Sequence, residues 1–155
     1  MSADNQQERL NYNWIAGFVD GEGCFHVAIN KNSHMTTGFQ VLPEFRLVQH
    51  KRDISLLYRI QKTFEFGVVR KNHGTRFEWR VRKLENLLQF VAFFTKYPLQ
   101  TKKKHDLFLF CIVLDLMFQK KHLTKNGVNK IVQIAQQMNR QKVRNLESSE
   151  TIRRT

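Results

Sequence analysis

Residues 8–25 read ERLNYNWIAGFVDGEGCF, and two periodicities meet in them. Leu10, Trp14 and Phe18 recur at every fourth position with Ile15 and Val19 beside them, the stripe of a helix running from Glu8 to Asp20. The turn Asp20-Gly21-Glu22-Gly23 follows, and its glycines are expected to break the helix. From Cys24 to Asn30 the period falls to two. Phe25, Val27 and Ile29 point one way and His26, Ala28 and Asn30 the other, as in a half-buried strand.

The same reading extends downstream. A second strand is expected from Phe39 to Gln49, with Phe39, Val41, Phe45 and Leu47 on one face and Gln40, Glu44 and Arg46 on the other. Pro43 lies inside it, which predicts an edge position or a bulge. Asp53 stands where an N-cap belongs, ahead of a helix carrying Ile54, Leu57, Ile60 and Phe64. A hairpin follows over Gly67–Arg82, turned at Asn72-His73-Gly74, with Phe77, Trp79 and Val81 inward on its second arm. Helical patterns recur near 83–96, 103–120 and 126–144, and Phe108, Phe110 and Phe118 read as core. The fold class is therefore α+β in the order αββαββα, with helices over one face of an antiparallel four-stranded sheet.

A chain of 155 residues, 41% hydrophobic, is sized for one domain. Its expected bounds are 1–155, with a core of about 8–145 and a flexible basic tail carrying Arg140, Lys142, Arg144, Arg153 and Arg154. Two cysteines, Cys24 and Cys111, exclude a disulfide framework. The polar start MSADNQQERL lacks the apolar stretch of a signal peptide. The longest apolar run, near 107–118, is interrupted by Asp115 and falls short of the roughly 20 residues of a membrane span. A soluble protein, with no membrane partner and made where it works, is the expectation. Lys and Arg number 26 against 13 Asp and Glu, a formal charge of +13. Such an excess points to a polyanionic partner, nucleic acid first.

With helices on one side, the other side of the sheet carries His26, Asn30, Gln40, Glu44, Arg46, Arg70, Asn72, Arg76, Glu78, Arg80 and Arg82. Arg, Asn and Gln have the forked geometry that reads guanine and adenine edges in a major groove. Phosphate contacts would come from the basic tail and from Lys102, Lys103 and Lys104, so affinity is expected to fall steeply with salt.

Asp20 and Glu22 sit where a helix C-terminus carries partial negative charge. A divalent cation is the economical compensation, and hard oxygen ligands favour Mg²⁺. His34, His50, His73, His105 and His122 are scattered, so zinc is not indicated.

Residues 15–23, IAGFVDGEG, resemble the signature of the LAGLIDADG homing endonucleases, with apolar positions, small residues, both acids and both glycines in register. Arg46-Leu47-Val48-Gln49-His50-Lys51-Arg52-Asp53 resembles the end of that family's second strand and the start of its next helix. Tyr97-Pro98-Leu99-Gln100-Thr101-Lys102-Lys103-Lys104 resembles its late basic segment. The resemblance covers roughly residues 8–118 and includes the αββαββα order.

The resemblance implies a homodimer, since one motif is present, with Ala16, Gly17, Asp20 and Gly21 at the helix pair. It implies Glu22 as the metal-binding carboxylate, with the Gly21 carbonyl as a second ligand, and Mg²⁺ (Mn²⁺ or Ca²⁺ in vitro) as cofactor. Gln49 matches the residue that orders active-site water, and Lys102 or Lys103 the basic residue near the scissile phosphate. The family's further basic residue falls to Lys51 or Arg52, strict spacing landing on Asp53. The implied activity is site-specific cleavage of double-stranded DNA at a long pseudo-palindromic site, in an organelle (chloroplast or mitochondrion). An intron RNA maturase, with intron RNA as partner, and a DNA-binding protein without cleavage are the alternatives.

Overall fold

The computed structural model describes residues 9–138. Helix α1 spans Tyr12–Glu22. It starts later than the periodicity predicts because Asn11, in extended backbone, accepts the N–H groups of Asn13 and Trp14 at 2.9 and 3.1 Å, a side-chain cap. It also ends later. Asp20, Gly21 and Glu22 are helical, and Gly23 closes the helix with its N–H on the Val19 carbonyl. A lone glycine costs a helix only about 1 kcal/mol, so Gly21 does not break it. Gly23 is needed for space, since a Cβ there would lie 2.7 Å from the Phe45 ring and 2.9 Å from the Val19 oxygen.

Strand β1 (Gly23–Lys31) and strand β2 (Phe39–His50) follow, then helix α2 (Ile54–Phe64), β3 (Val68–Lys71), β4 (Arg76–Val81) and helix α3 (Leu84–Lys96). Helices α4 (Lys103–Phe118) and α5 (Lys125–Gln137) complete the described chain. The strands form one four-stranded sheet in the order β1-β2-β4-β3, with β4 antiparallel to both β2 and β3. The αββαββα order is the one expected. Among the described residues, no helix is long and apolar enough to cross a membrane.

The chain divides into two compact units. The first holds residues up to Cys24 together with Phe45–Lys104. Its centre is Trp79, fully buried, stacked on Phe64 at 5.5 Å between centroids and edge-on to Phe90 at 5.4 Å. The indole N–H donates to the Phe66 carbonyl at 3.1 Å, so the one polar atom of the ring is satisfied. Gly67, at φ +86°, passes so close that a Cβ would collide with that indole. Ile15 and Val19 of α1, Leu57 and Ile60 of α2 and Leu87 and Phe90 of α3 are all fully buried here.

The second unit holds Phe25–Glu44 and, among the described residues, those from His105 to Met138. Phe25 packs on Phe110 at 5.2 Å, with Val27, Ile29, Val113, Leu114, Val128 and Ile131 also buried. Thr124 caps α5 by accepting the Gly127 N–H at 3.0 Å.

Four expectations are corrected or refined. Phe108 and Phe118 are 61% and 68% exposed. The buried stripe of α4 is Leu109, Phe110, Val113 and Leu114, which leaves position 108 on the opposite side of the helix and 118 at its end. Trp14, on the helical stripe, is 45% exposed, so the stripe is not buried along its whole length. Pro43 lies in an inner strand, but in the half of β2 beyond the β4 register, which covers Phe45–His50, so no β4 partner needs its missing N–H. Asp53 stands at the N-cap position of α2 as expected but makes no side-chain cap bond; the His50 ring accepts the Arg52 N–H at 3.1 Å and opens a short 3₁₀ turn, Lys51–Asp53, ahead of it. Residues 139–144 of the predicted last helix and the basic tail lie outside the described residues.

Candidate active site and nucleic-acid interface

Register decides which side chains share the open face of the sheet, because residues directly opposed on neighbouring strands point the same way. In the first unit, Arg46 opposes Arg80 and Arg80 opposes Val68; Val48 opposes Glu78 and Glu78 opposes Arg70; His50 opposes Arg76. The alternate rows, Leu47-Trp79-Val69 and Gln49-Phe77-Lys71, belong to the face that carries buried Trp79. Arg46, Arg70, Arg76, Glu78 and Arg80 therefore share one face, joined by Val48, Val68 and His50, which the sequence reading omitted. Asn72 and Arg82 are exposed just beyond β3 and β4. In the second unit, His26, Asn30 and Gln40 are half-buried on β1 and β2.

The two acids of this face are not exposed as expected. Glu44 and Glu78 are 8% and 5% exposed. Glu78 Oε1 lies 3.8 Å from Arg70 Nε, and its other oxygen has no hydrogen-bond partner. A carboxylate buried beneath a guanidinium orients that arginine more readily than it reaches a base.

The motif acids divide sharply. Asp20 is not left to a cation: its carboxylate accepts the Gln100 N–H at 2.7 Å, the Thr101 N–H at 3.1 Å and the Thr101 hydroxyl. Burial works to raise its pKa, but the Thr101 hydroxyl, the Gln100 and Thr101 N–H groups and the Lys103 charge outweigh it and hold the pKa below the ordinary value. The Lys103 ammonium donates to the Val19 carbonyl at 3.2 Å, placing a cation at the negative end of α1. The charge compensation expected from a metal is thus supplied, at position 20, by the chain itself. Gln100 and Thr101 were missed in the sequence; the signal that could have found them was the need for donors around an acid at a helix C-terminus.

Glu22 is the last residue of α1 and is exposed, as are Gly17 and Gly21. A Cβ at Gly17 or Gly21 would meet nothing within 4 Å. Ala16, in contrast, is 5% exposed and packs inside the chain. Lys102 is exposed and Lys103 half-buried, while Gln49 is half-buried near the end of β2. Lys51 and Arg52 are exposed in the 3₁₀ turn, where Arg52 lies 3.9 Å from Asp53.

Among the described residues no group of three or more His, Cys, Asp or Glu side chains gathers around one point. One free carboxylate with neighbouring carbonyls does not suit zinc. It does suit a hard cation that keeps several waters and takes its remaining ligands from phosphate oxygens.

The family model described as LAGLIDADG endonuclease matches residues 15–114. An uncharacterised 50.9 kDa protein in ND4 intron 1 of Podospora anserina is 35% identical over 114 residues, covering 72% of this chain and 25% of that protein. The crystal structure of the homing endonuclease I-TnaI superposes with a TM-score of 0.87 at 50% identity, covering 94% of this chain and 97% of that one. The LAGLIDADG homing endonuclease I-SmaMI bound to cleaved DNA superposes with a TM-score of 0.83 at 38% identity, over 84% of this chain and 44% of that one. The same enzyme has been seen on uncleaved DNA in the presence of calcium ions. The chain spans about a quarter of the length of the curated relatives it first matches.

Proposed function

The chain belongs to the LAGLIDADG endonuclease family, and on that premise we propose that it is a site-specific, homodimeric double-strand DNA endonuclease dependent on a divalent cation. The observation that carries the proposal is the end of α1, where exposed Glu22 stands next to the open positions Gly17 and Gly21.

Trp14, Gly17, Phe18 and Gly21 follow i, i+3, i+4, i+7 spacing and line one side of α1. Trp14 and Phe18 pack ring to ring at 5.0 Å. The two glycines let a second helix backbone approach closely, and the ring pair supplies apolar area for the contact. A two-fold pairing along this side brings two Glu22 carboxylates together and demands a target with matching two-fold character.

The arginines of the sheet face bind and orient the duplex, with Arg46, Arg70, Arg76 and Arg80 on the side that meets guanine edges. Glu22 and the Gly21 carbonyl would hold Mg²⁺, with Mn²⁺ or Ca²⁺ able to occupy the same ligands in vitro. Such an ion, when bound, lowers the pKa of water and stabilises the attacking and leaving oxygens of a phosphodiester. Gln49 orients the attacking water, and Lys102 or Lys103 places positive charge beside the phosphate. Synthesis inside an organelle is part of the same reading and is supported by the ND4-intron relative.

The test is incubation with duplex spanning the gene's own intron-less insertion site, in Mg²⁺, followed by sequencing of the ends. Staggered cuts on both strands are expected. Binding to that duplex with no cutting in Mg²⁺ overturns the nuclease, and capture of intron RNA in its place points to a maturase.

A further inference from the structure

We infer that Asp20 and Thr101 form a latch that positions Lys103 against the last turn of α1, and thereby sets the lysine relative to Glu22 for cleavage. The inference rests on the endonuclease reading and concerns how its site is held.

The contacts form a closed circuit. The Thr101 hydroxyl donates to Asp20 Oδ1 and accepts the Lys103 N–H at 3.2 Å. The Lys103 ammonium donates to the Val19 carbonyl at 3.2 Å. Val19 adjoins Asp20 in the chain, which completes the ring. Both ends of the lysine, backbone nitrogen and ammonium, are thus fixed through residues 19, 20 and 101. Gln100 and Thr101 add their backbone N–H groups to the Asp20 carboxylate. The circuit spans about 80 residues of sequence, so it joins two segments that no local structure would hold together.

Fixing the lysine at its backbone nitrogen and at its ammonium restricts where the long, rotamer-rich side chain can point. A catalytic group placed before substrate arrives loses less freedom at the reacting geometry. The Val19 carbonyl is also the acceptor of the Gly23 N–H that ends α1. The lysine is therefore anchored on the same helical turn that carries Glu22. Asp20 and Thr101 are positioning residues; Lys103 is the group through which they act.

A double-mutant cycle tests this on the full chain and the intron-less duplex, with single-turnover cleavage rate, DNA affinity and thermal midpoint measured for each variant. Thr101→Val is expected to slow cleavage about tenfold with affinity changed less than about twofold, and Thr101→Ser to restore the rate. In a Lys103→Met background Thr101→Val should cost nothing further, because the group it positions is gone. If Thr101→Val unfolds the chain, Asp20→Asn replaces it in the cycle. Wild-type cleavage with an unimpaired Thr101→Val, or losses that multiply across the two sites, overturns the latch. A wild-type chain that does not cut the duplex overturns the endonuclease reading itself, a separate and recognisable outcome.

Discussion

Glu78 on β4 lies directly across the ladder from Arg70 on β3, with 3.8 Å between Arg70 Nε and Glu78 Oε1. The carboxylate is 5% exposed while the arginine side chain is half-exposed. The pair is a fixed base beneath a reaching head, and it sits on the face that carries Arg46, Arg76 and Arg80. Because one oxygen of Glu78 is buried without a partner, the acid is held there against a desolvation cost. An orienting role for Arg70 gives that burial a use.

Glu78→Gln should leave the fold intact and loosen base preference at the position that Arg70 faces, by up to the ~1–3 kcal/mol of one bidentate contact. Cleavage or binding profiled across a randomised target library measures it. Unchanged preference at every position would remove Glu78 from the specificity apparatus.

Glu22→Gln keeps shape and removes a charged ligand. Cutting in Mg²⁺ should fall by several orders of magnitude, the several kcal/mol of a metal's charge stabilisation, with duplex affinity held within about threefold because phosphate and base contacts remain. Gel-shift and single-turnover assays on one preparation separate the two. A variant that cuts normally assigns the metal elsewhere.

Gly17 and Gly21 meet nothing within 4 Å in the protomer, so enlarging them costs an isolated chain nothing sterically and raises helix propensity by up to ~1 kcal/mol each. In a dimer packed on that side the same change blocks the approach. Gly21→Leu should therefore yield a folded, helical monomer by sedimentation equilibrium. Retained dimers would move the interface off α1.

Asp20 has a pKa held below the ordinary value. A depressed carboxyl contributes stability that is present above its unfolded pKa and lost as pH falls through its folded pKa. Wild type and Asp20→Asn should thus differ in thermal midpoint near neutrality and converge in the acid range. A constant difference down to pH 2 would mean that the aspartate acts by shape and not by charge.

Much of this was legible in the sequence because local patterns carried it. Alternation at Arg76–Val81 placed Trp79 inward and Arg80 outward, as the register confirms, and the turn at Asn72-His73-Gly74 joins β3 to β4 with Gly74 at φ +58°. What escapes the sequence is set by local competition at the ends of α1 and by distance at Thr101. α1 starts after the Leu10 stripe because the Asn11 side chain caps two N–H groups. It runs past Gly21 because that glycine is open space on a continuing helix and not a break. Thr101 was invisible because its partner is 81 residues away. Phe108 misled for the opposite reason: its apolar character was read without its angle around α4, which points away from the buried stripe.

The alternation along β4 leaves a practical margin. Phe77, Trp79 and Val81 anchor the strand from behind, while Arg76, Glu78 and Arg80 project from the other side of the same six residues. On the endonuclease reading, substitutions at Arg76 and Arg80 change which bases the strand meets while the side chains that hold it in the core stay as they are.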